Sequence, residues 1–220
     1  MQRVKLFDSG WLLDHGGIVL RPILRYQVGK TRIALYSIPI DTLLSCASMK
    51  DLETGRLVLR WLAVEDAEFI FDLLNQPSFL QFIGDKGVRT IGDARNYILS
   101  GPIASYERFG FGLYLTELKP TRAPIGICGL LKRETLDDVD VGFAFLPQYW
   151  KQGYAFESAS AVMAYGRDVL GLDRIVAITS PDNEASIKVL SKLGLKFERM
   201  IRLSEDAPEV KLFAPLNSRQ

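Results

Sequence analysis

Between Val139 and Ala159 the sequence changes its period, and that change constrains the fold more than any other feature. Val139-Asp140-Val141-Gly142-Phe143-Ala144-Phe145-Leu146 is a short apolar run with the aromatic and β-branched content of a strand. Beyond Gly153, the residues Ala155, Ala159, Val162, Met163, Gly166, Val169 and Leu170 recur at helical spacing. A Gly-containing turn therefore joins a strand to a helix. The first amides of a helix have no partner inside it, and together with the helix dipole they attract an anion. Gly153 lets the backbone approach a ligand and Ala155 keeps the helix start uncluttered, so a diphosphate fits there. A plain loop whose Gly serves only the turn is the alternative reading.

Composition narrows the partners. The chain has 220 residues, 48% of them apolar, enough for one domain with a sizeable core. Lys plus Arg at 27 nearly balances Asp plus Glu at 26, without the positive field of a general nucleic-acid binder. No apolar run reaches membrane-spanning length and no secretory signal opens the chain, so a soluble cytoplasmic protein is expected. Cys46 and Cys128 have neither a CxxC nor a metal-ligand spacing, which predicts no disulfide framework and no metal site. Cys128 lies in an apolar run and reads as core. His15 is the only histidine, so hydrolase schemes built on Ser-His or Cys-His pairs are excluded from everything after it.

Residues 1–48 differ from the rest. Arg3, Lys5, Arg21, Arg25, Lys30 and Arg32 against Asp8, Asp14 and Asp41 leave a local excess of +3, with no sustained periodicity. Met49 precedes a natural beginning, so residues 1–48 are expected to be a disordered extension or an upstream-start artefact, with a targeting peptide as the alternative, and 49–220 to be the folded domain. Gly29-Lys30-Thr31 mimics the end of a phosphate-binding P-loop, but the earlier glycine that motif needs is Leu24.

From Arg56 onward the pattern tightens. Leu57, Leu59 and Trp61 alternate as in a half-buried strand, and Ala67, Ile70, Phe71 and Leu74 share a helix face that ends near Pro77. A second helix carries Ala94, Tyr97, Ile98 and Gly101, with Pro102 against its continuation to Tyr106. Strands at 111–118, 125–133 and 139–146 are joined by short turns, which favours an antiparallel meander. The helix after Gly153 and a strand at 174–179 imply one parallel crossover. A helix from Asn183 to Leu193, closed by Gly194, leads into strands at 196–202 and 210–214.

This order of elements, with Tyr149-Trp150-Lys151-Gln152-Gly153-Tyr154-Ala155, Glu157, the opening Arg56-Leu57-Val58-Leu59-Arg60 and the run Pro181-Asp182-Asn183-Glu184-Ala185-Ser186, resembles the GNAT superfamily of N-acetyltransferases over about residues 52–214. Within it, the chain looks most like the branch of ribosomal-protein N-terminal acetyltransferases. The resemblance implies an α/β fold with a mixed sheet of about six to seven strands, mostly antiparallel with one parallel crossover, flanked by about four helices. It implies acetyl-CoA as donor, without a metal. The backbone of Lys151, Gln152, Gly153, Tyr154 and Ala155 would hold the pyrophosphate, and backbone near Phe143 and Phe145 the pantetheine arm. Trp150 stands where the family usually has Gln or Arg. Asn183 and Ser186 match cofactor-facing positions, with helix capping as the other reading.

An amine must lose a proton before it attacks a thioester, so a base is required. The candidate is Asp140, with Glu134 a weaker one and a solvated strand-edge charge the alternative for Asp140. The family's general-acid Tyr position is Leu190 here, which cannot donate. By the same resemblance the acidic loop Ser204-Glu205-Asp206-Ala207-Pro208-Glu209 lies beside the acceptor entrance, where it favours a cationic amine. The implied reaction is direct acetyl transfer to a primary amine, a protein N-terminus by branch likeness, in a monomer or homodimer. A small polyamine, amino acid or antibiotic as acceptor, or a non-catalytic acyl-CoA-binding module, are the rivals.

Overall fold

The computed structural model describes the backbone at residues 25–28 and 31–34, and residues 51–216. The chain divides into two units at Met49/Lys50. In the first, β1 (Arg25–Val28) and β2 (Thr31–Ala34) form an antiparallel hairpin. His15, Cys46 and the remainder of the expected extension lie outside the described residues.

The second unit is built on an eight-stranded sheet of order β3-β4-β5-β6-β7-β8-β10-β9. Its strands are β3 (Leu52–Glu53), β4 (Leu57–Trp61), β5 (Leu113–Leu118), β6 (Pro124–Leu131), β7 (Val139–Phe145), β8 (Ile175–Thr179), β9 (Leu195–Ile201) and β10 (Val210–Pro215). Every neighbouring pair is antiparallel except β7 and β8. The α/β mixed sheet with one parallel crossover is thus as expected. β3, which is two residues long, adds a strand beyond the six or seven foreseen.

Helices cover both faces, because alternate strand residues point to opposite sides. On one face α1 (Ala67–Leu74), α2 (Pro77–Phe82) and α3 (Ile91–Ile98) bring Ile70, Leu73, Ala94 and Ile98 against Leu113, Leu115 and Ile127. On the other, α5 (Tyr154–Asp168) and α6 (Glu184–Lys192) pack Ala159, Val162, Met163 and Leu190 on Leu57, Leu59, Val141 and Phe145.

Prolines explain two departures from the periodicity. Pro77 stops α1 but opens α2, since the first helical position needs no N–H. Pro102 does not end the helical path: Leu99–Ile103 widens to a π turn in which the Ala104 N–H reaches the Leu99 carbonyl. The path then continues as α4 (Ala104–Phe109). The wider turn relieves the clash that a proline ring makes with the carbonyl four residues back. Among the described residues, no helix is long and apolar enough to cross a membrane.

Candidate active site

β7 and β8 share only two register pairs, Val139↔Ile175 and Asp140↔Val176. Beyond Asp140, β8 turns to β10, pairing Ala177 to Phe213 and Thr179 to Lys211, while β7 stays on β6 as far as Phe145. The sheet therefore opens as a V whose apex is at Asp140. The Leu146 N–H donates to the Ile125 carbonyl on the β6 side at 3.0 Å. Backbone groups alternate sides along a strand, so the N–H groups of Phe143 and Phe145 face the opening instead. The Phe145 carbonyl accepts the Trp150 indole N–H at 2.7 Å. Trp150, which departs from the family's usual residue, thus uses its side chain to hold the end of β7 to the following loop.

That loop ends at Gly153, the residue before α5, with φ 84° and no side-chain cap. Lys151 also lies in the left-handed region, at φ 60°. Left-handed residues bend the chain so that successive N–H groups point inward to a common concavity. The N–H groups of Lys151, Gln152, Gly153, Tyr154 and Ala155 find no acceptor among the described residues. With the α5 dipole behind them, they form a basket for an anion. A V of free strand backbone ending at such a basket fits a long ligand with a phosphate group part-way along it.

The turn before β4 clamps this basket. Glu157, in the first turn of α5, accepts from Thr54 Oγ1 at 2.6 Å, the Arg56 N–H at 2.8 Å and Arg56 Nε at 2.7 Å. Burial alone raises its carboxyl, but these bonds and the Arg56 charge outweigh that and hold it below its ordinary value. Arg56 Nη1 reaches the Gln152 carbonyl at 3.0 Å, and the guanidinium stacks over the Tyr154 ring at 4.5 Å. In the sequence Arg56 and Glu157 stand only as letters of two separate motifs. Local periodicity carries no signal for partners 101 residues apart.

Asp140 is 1% exposed and pairs with Arg133 Nε at 2.9 Å, so it is not the solvated edge charge of the alternative reading. Burial pushes its carboxyl up and the Arg133 charge opposes the rise. Glu134 is exposed. Asn183 caps α6, its Oδ1 accepting the Ser186 N–H at 3.0 Å, while the half-buried Ser186 hydroxyl has no partner among the described residues. Leu190 is core, at 2% exposure. The Cys128 thiol is buried and pushed up to about 12 by burial, which makes it inert. Loop 202–209 joins β9 to β10 and carries the Arg202–Glu209 ion pair at 3.5 Å. Among the described residues, no group of three or more His, Cys, Asp or Glu could hold a metal ion.

A family model for the acetyltransferase (GNAT) domain matches residues 56–196. The uncharacterized N-acetyltransferase YoaA of Bacillus subtilis is 32% identical over 153 residues, covering 69% of this chain and 85% of that protein. An acetyltransferase from Agrobacterium tumefaciens has the same fold, with a TM-score of 0.66 at 24% identity over 76% of this chain and 94% of that one. The ribosomal alpha-N-protein acetyltransferase RimL, solved with coenzyme A, gives 0.60 at 18% identity over 75% and 97%. The chain belongs to the GNAT acetyltransferase family and is an acyltransferase.

Proposed function

We propose that this enzyme moves an acetyl group from acetyl-CoA directly to a primary amine, and that the amine is a protein N-terminus. The observation that carries the donor assignment is the row of unpartnered amides from Lys151 to Ala155 at the mouth of the V. Those amides would hold the diphosphate, and the N–H groups of Phe143 and Phe145 the pantetheine arm. Ser186, whose hydroxyl has no partner among the described residues, would face the same ligand. Asn183 spends its oxygen on the cap.

When bound, acetyl-CoA supplies an activated acyl group, and the protein's part is positioning and proton handling. Asp140 at the apex is proposed to take up the acceptor's proton: burial favours its neutral form, so a proton delivered there is held. Its partner Arg133 is one-third exposed, so the ion pair reaches from the buried carboxyl to the surface, while the guanidinium itself stays protonated and carries no proton. Leu190 is a buried side chain that cannot donate, so the proton for the thiolate is proposed to come from water or from another group.

The protein acceptor is supported by the RimL likeness, while the acidic residues Glu205, Asp206 and Glu209 in loop 202–209 favour the approach of a cationic amine of either kind. The test is mass spectrometry of a panel of N-terminal peptides, intact ribosomal proteins, polyamines and amino acids incubated with enzyme and acetyl-CoA. Acetylated peptide N-termini are expected. Efficient turnover of a small amine with no peptide modified would overturn the protein acceptor while keeping the donor.

A further inference from the structure

Arg56 sits behind the basket rather than in it. Its Nη1 donates to the Gln152 carbonyl at 3.0 Å. The Gln152–Gly153 peptide is trans, so its N–H points opposite to its C=O. The guanidinium therefore lies on the carbonyl side of that peptide, and the Gly153 N–H points away from it. Arg56 is in turn held by its Nε on Glu157 Oε2 at 2.7 Å, and Thr54 and the Arg56 backbone N–H engage Oε1 of the same carboxylate. The Tyr154 ring supports the plane of the guanidinium at 4.5 Å. A left-handed Lys151 is costly for a residue with a Cβ and persists only where its surroundings fix it.

We infer that Thr54, Arg56 and Glu157 form a latch that sets the orientation of the Gly153 amide, making Arg56 a positioning residue for phosphate recognition. The latch ties the turn between β3 and β4 to the first turn of α5, so the edge of the sheet and the anion basket move as one piece. A planar guanidinium suits this role because its rigid fork fixes the carboxylate on Nε and the carbonyl on Nη1 in one plane, an orientation that an ammonium does not impose on its partners. The inference rests on the acetyl-CoA reading above and assigns no contact between Arg56 and the ligand.

The experiment titrates acetyl-CoA and acetyl-dephospho-CoA into the native protein, Arg56→Gln, Arg56→Lys and Glu157→Gln by calorimetry, and follows the Gly153 amide by NMR. The loss of a hydrogen bond to a charged group predicts that Arg56→Gln binds both ligands about tenfold more weakly. Arg56→Lys keeps the charge but not the fork, and is expected to fall within about threefold of Arg56→Gln. Glu157→Gln weakens binding in the same direction, because it releases Arg56. In the native protein the Gly153 amide signal moves on adding acetyl-CoA; in Arg56→Gln it starts from a different position and moves less. Affinity within about twofold of native in a folded Arg56→Gln variant overturns the inference. So does a loss confined to acetyl-CoA, which would make Arg56 a contact of the 3′-phosphate. A native protein that binds neither ligand refutes the donor assignment itself, and the latch with it.

Discussion

Gly153 and Asp140 are each fixed by one geometric fact, and each fact has a measurable consequence. At φ 84°, Gly153 holds a conformation that side chains disfavour, and an added Cβ would stand 3.3 Å from Arg56 Nη2. Gly153→Ala is therefore expected to destabilise the protein by about 1–2 kcal/mol and to weaken acetyl-CoA binding further by pressing on the latch, seen in melting curves and calorimetry. Asp140 has a folded value raised by burial, against which Arg133 acts. A group raised on folding contributes stability that is fully present below its unfolded value and lost as pH rises through its folded value. Asp140→Asn removes that titration, and Arg133, one-third exposed, can hydrate when left alone. The melting temperature of the variant relative to native is thus expected to climb as pH rises above about 4. If Asp140 is also the base, the acid limb of kcat/KM flattens in the same variant; an unchanged profile places the base elsewhere.

At the scale of elements, caps and prolines decide where each segment starts. Thr90 accepts the Asp93 N–H at 3.1 Å while Asp93 accepts the Thr90 N–H at 2.9 Å, a reciprocal box at the start of α3. Thr90→Ala is expected to cost about 1 kcal/mol in chemical denaturation, with acetyl-CoA affinity unchanged because α3 lies on the sheet face opposite α5. Such local devices are legible in a sequence: the strand-turn-helix at Gly153, the meander of β5 to β7 and the glycine after α6 all follow from residue type and period. α1 ends before Pro77 as expected, but that Pro77 also opens α2 and that the helical path passes Pro102 through a widened turn is not legible, because neighbouring letters do not tell a proline that stops a helix from one that starts the next or sits in a π turn. β3 is too short for any period to show. The latch is invisible for another reason: Arg56 and Glu157 meet only because β4 and α5 pack together, and Trp150 finds the Phe145 carbonyl only once the loop has closed.

For the whole molecule, the feature that matters is the short seam between two parts of one sheet. β3 to β7 form one continuous ladder, β8, β10 and β9 another, and two register pairs join them. Below the apex the core is continuous, with Val139, Val141, Ala159, Val162 and Ile175 in one cluster, so the V is a standing opening in a packed domain. A free strand edge in such a place leaves amides that only solvent or a ligand can satisfy. Along β7 this gives an alternating pattern: the N–H groups of Gly142 and Ala144 belong to the β6 ladder, whereas those of Phe143 and Phe145 face the opening. Residue-resolved hydrogen exchange of the free enzyme is therefore expected to show Phe143 and Phe145 exchanging faster than Gly142 and Ala144, although all four sit in one strand of a buried sheet. Saturating acetyl-CoA should slow Phe143 and Phe145 by about tenfold or more and protect Gly153 and Tyr154 alongside them, since arm and diphosphate bind together. Protection at Gly153 without protection at Phe143 would place the arm outside the V, and protection at neither would place the donor elsewhere on the molecule.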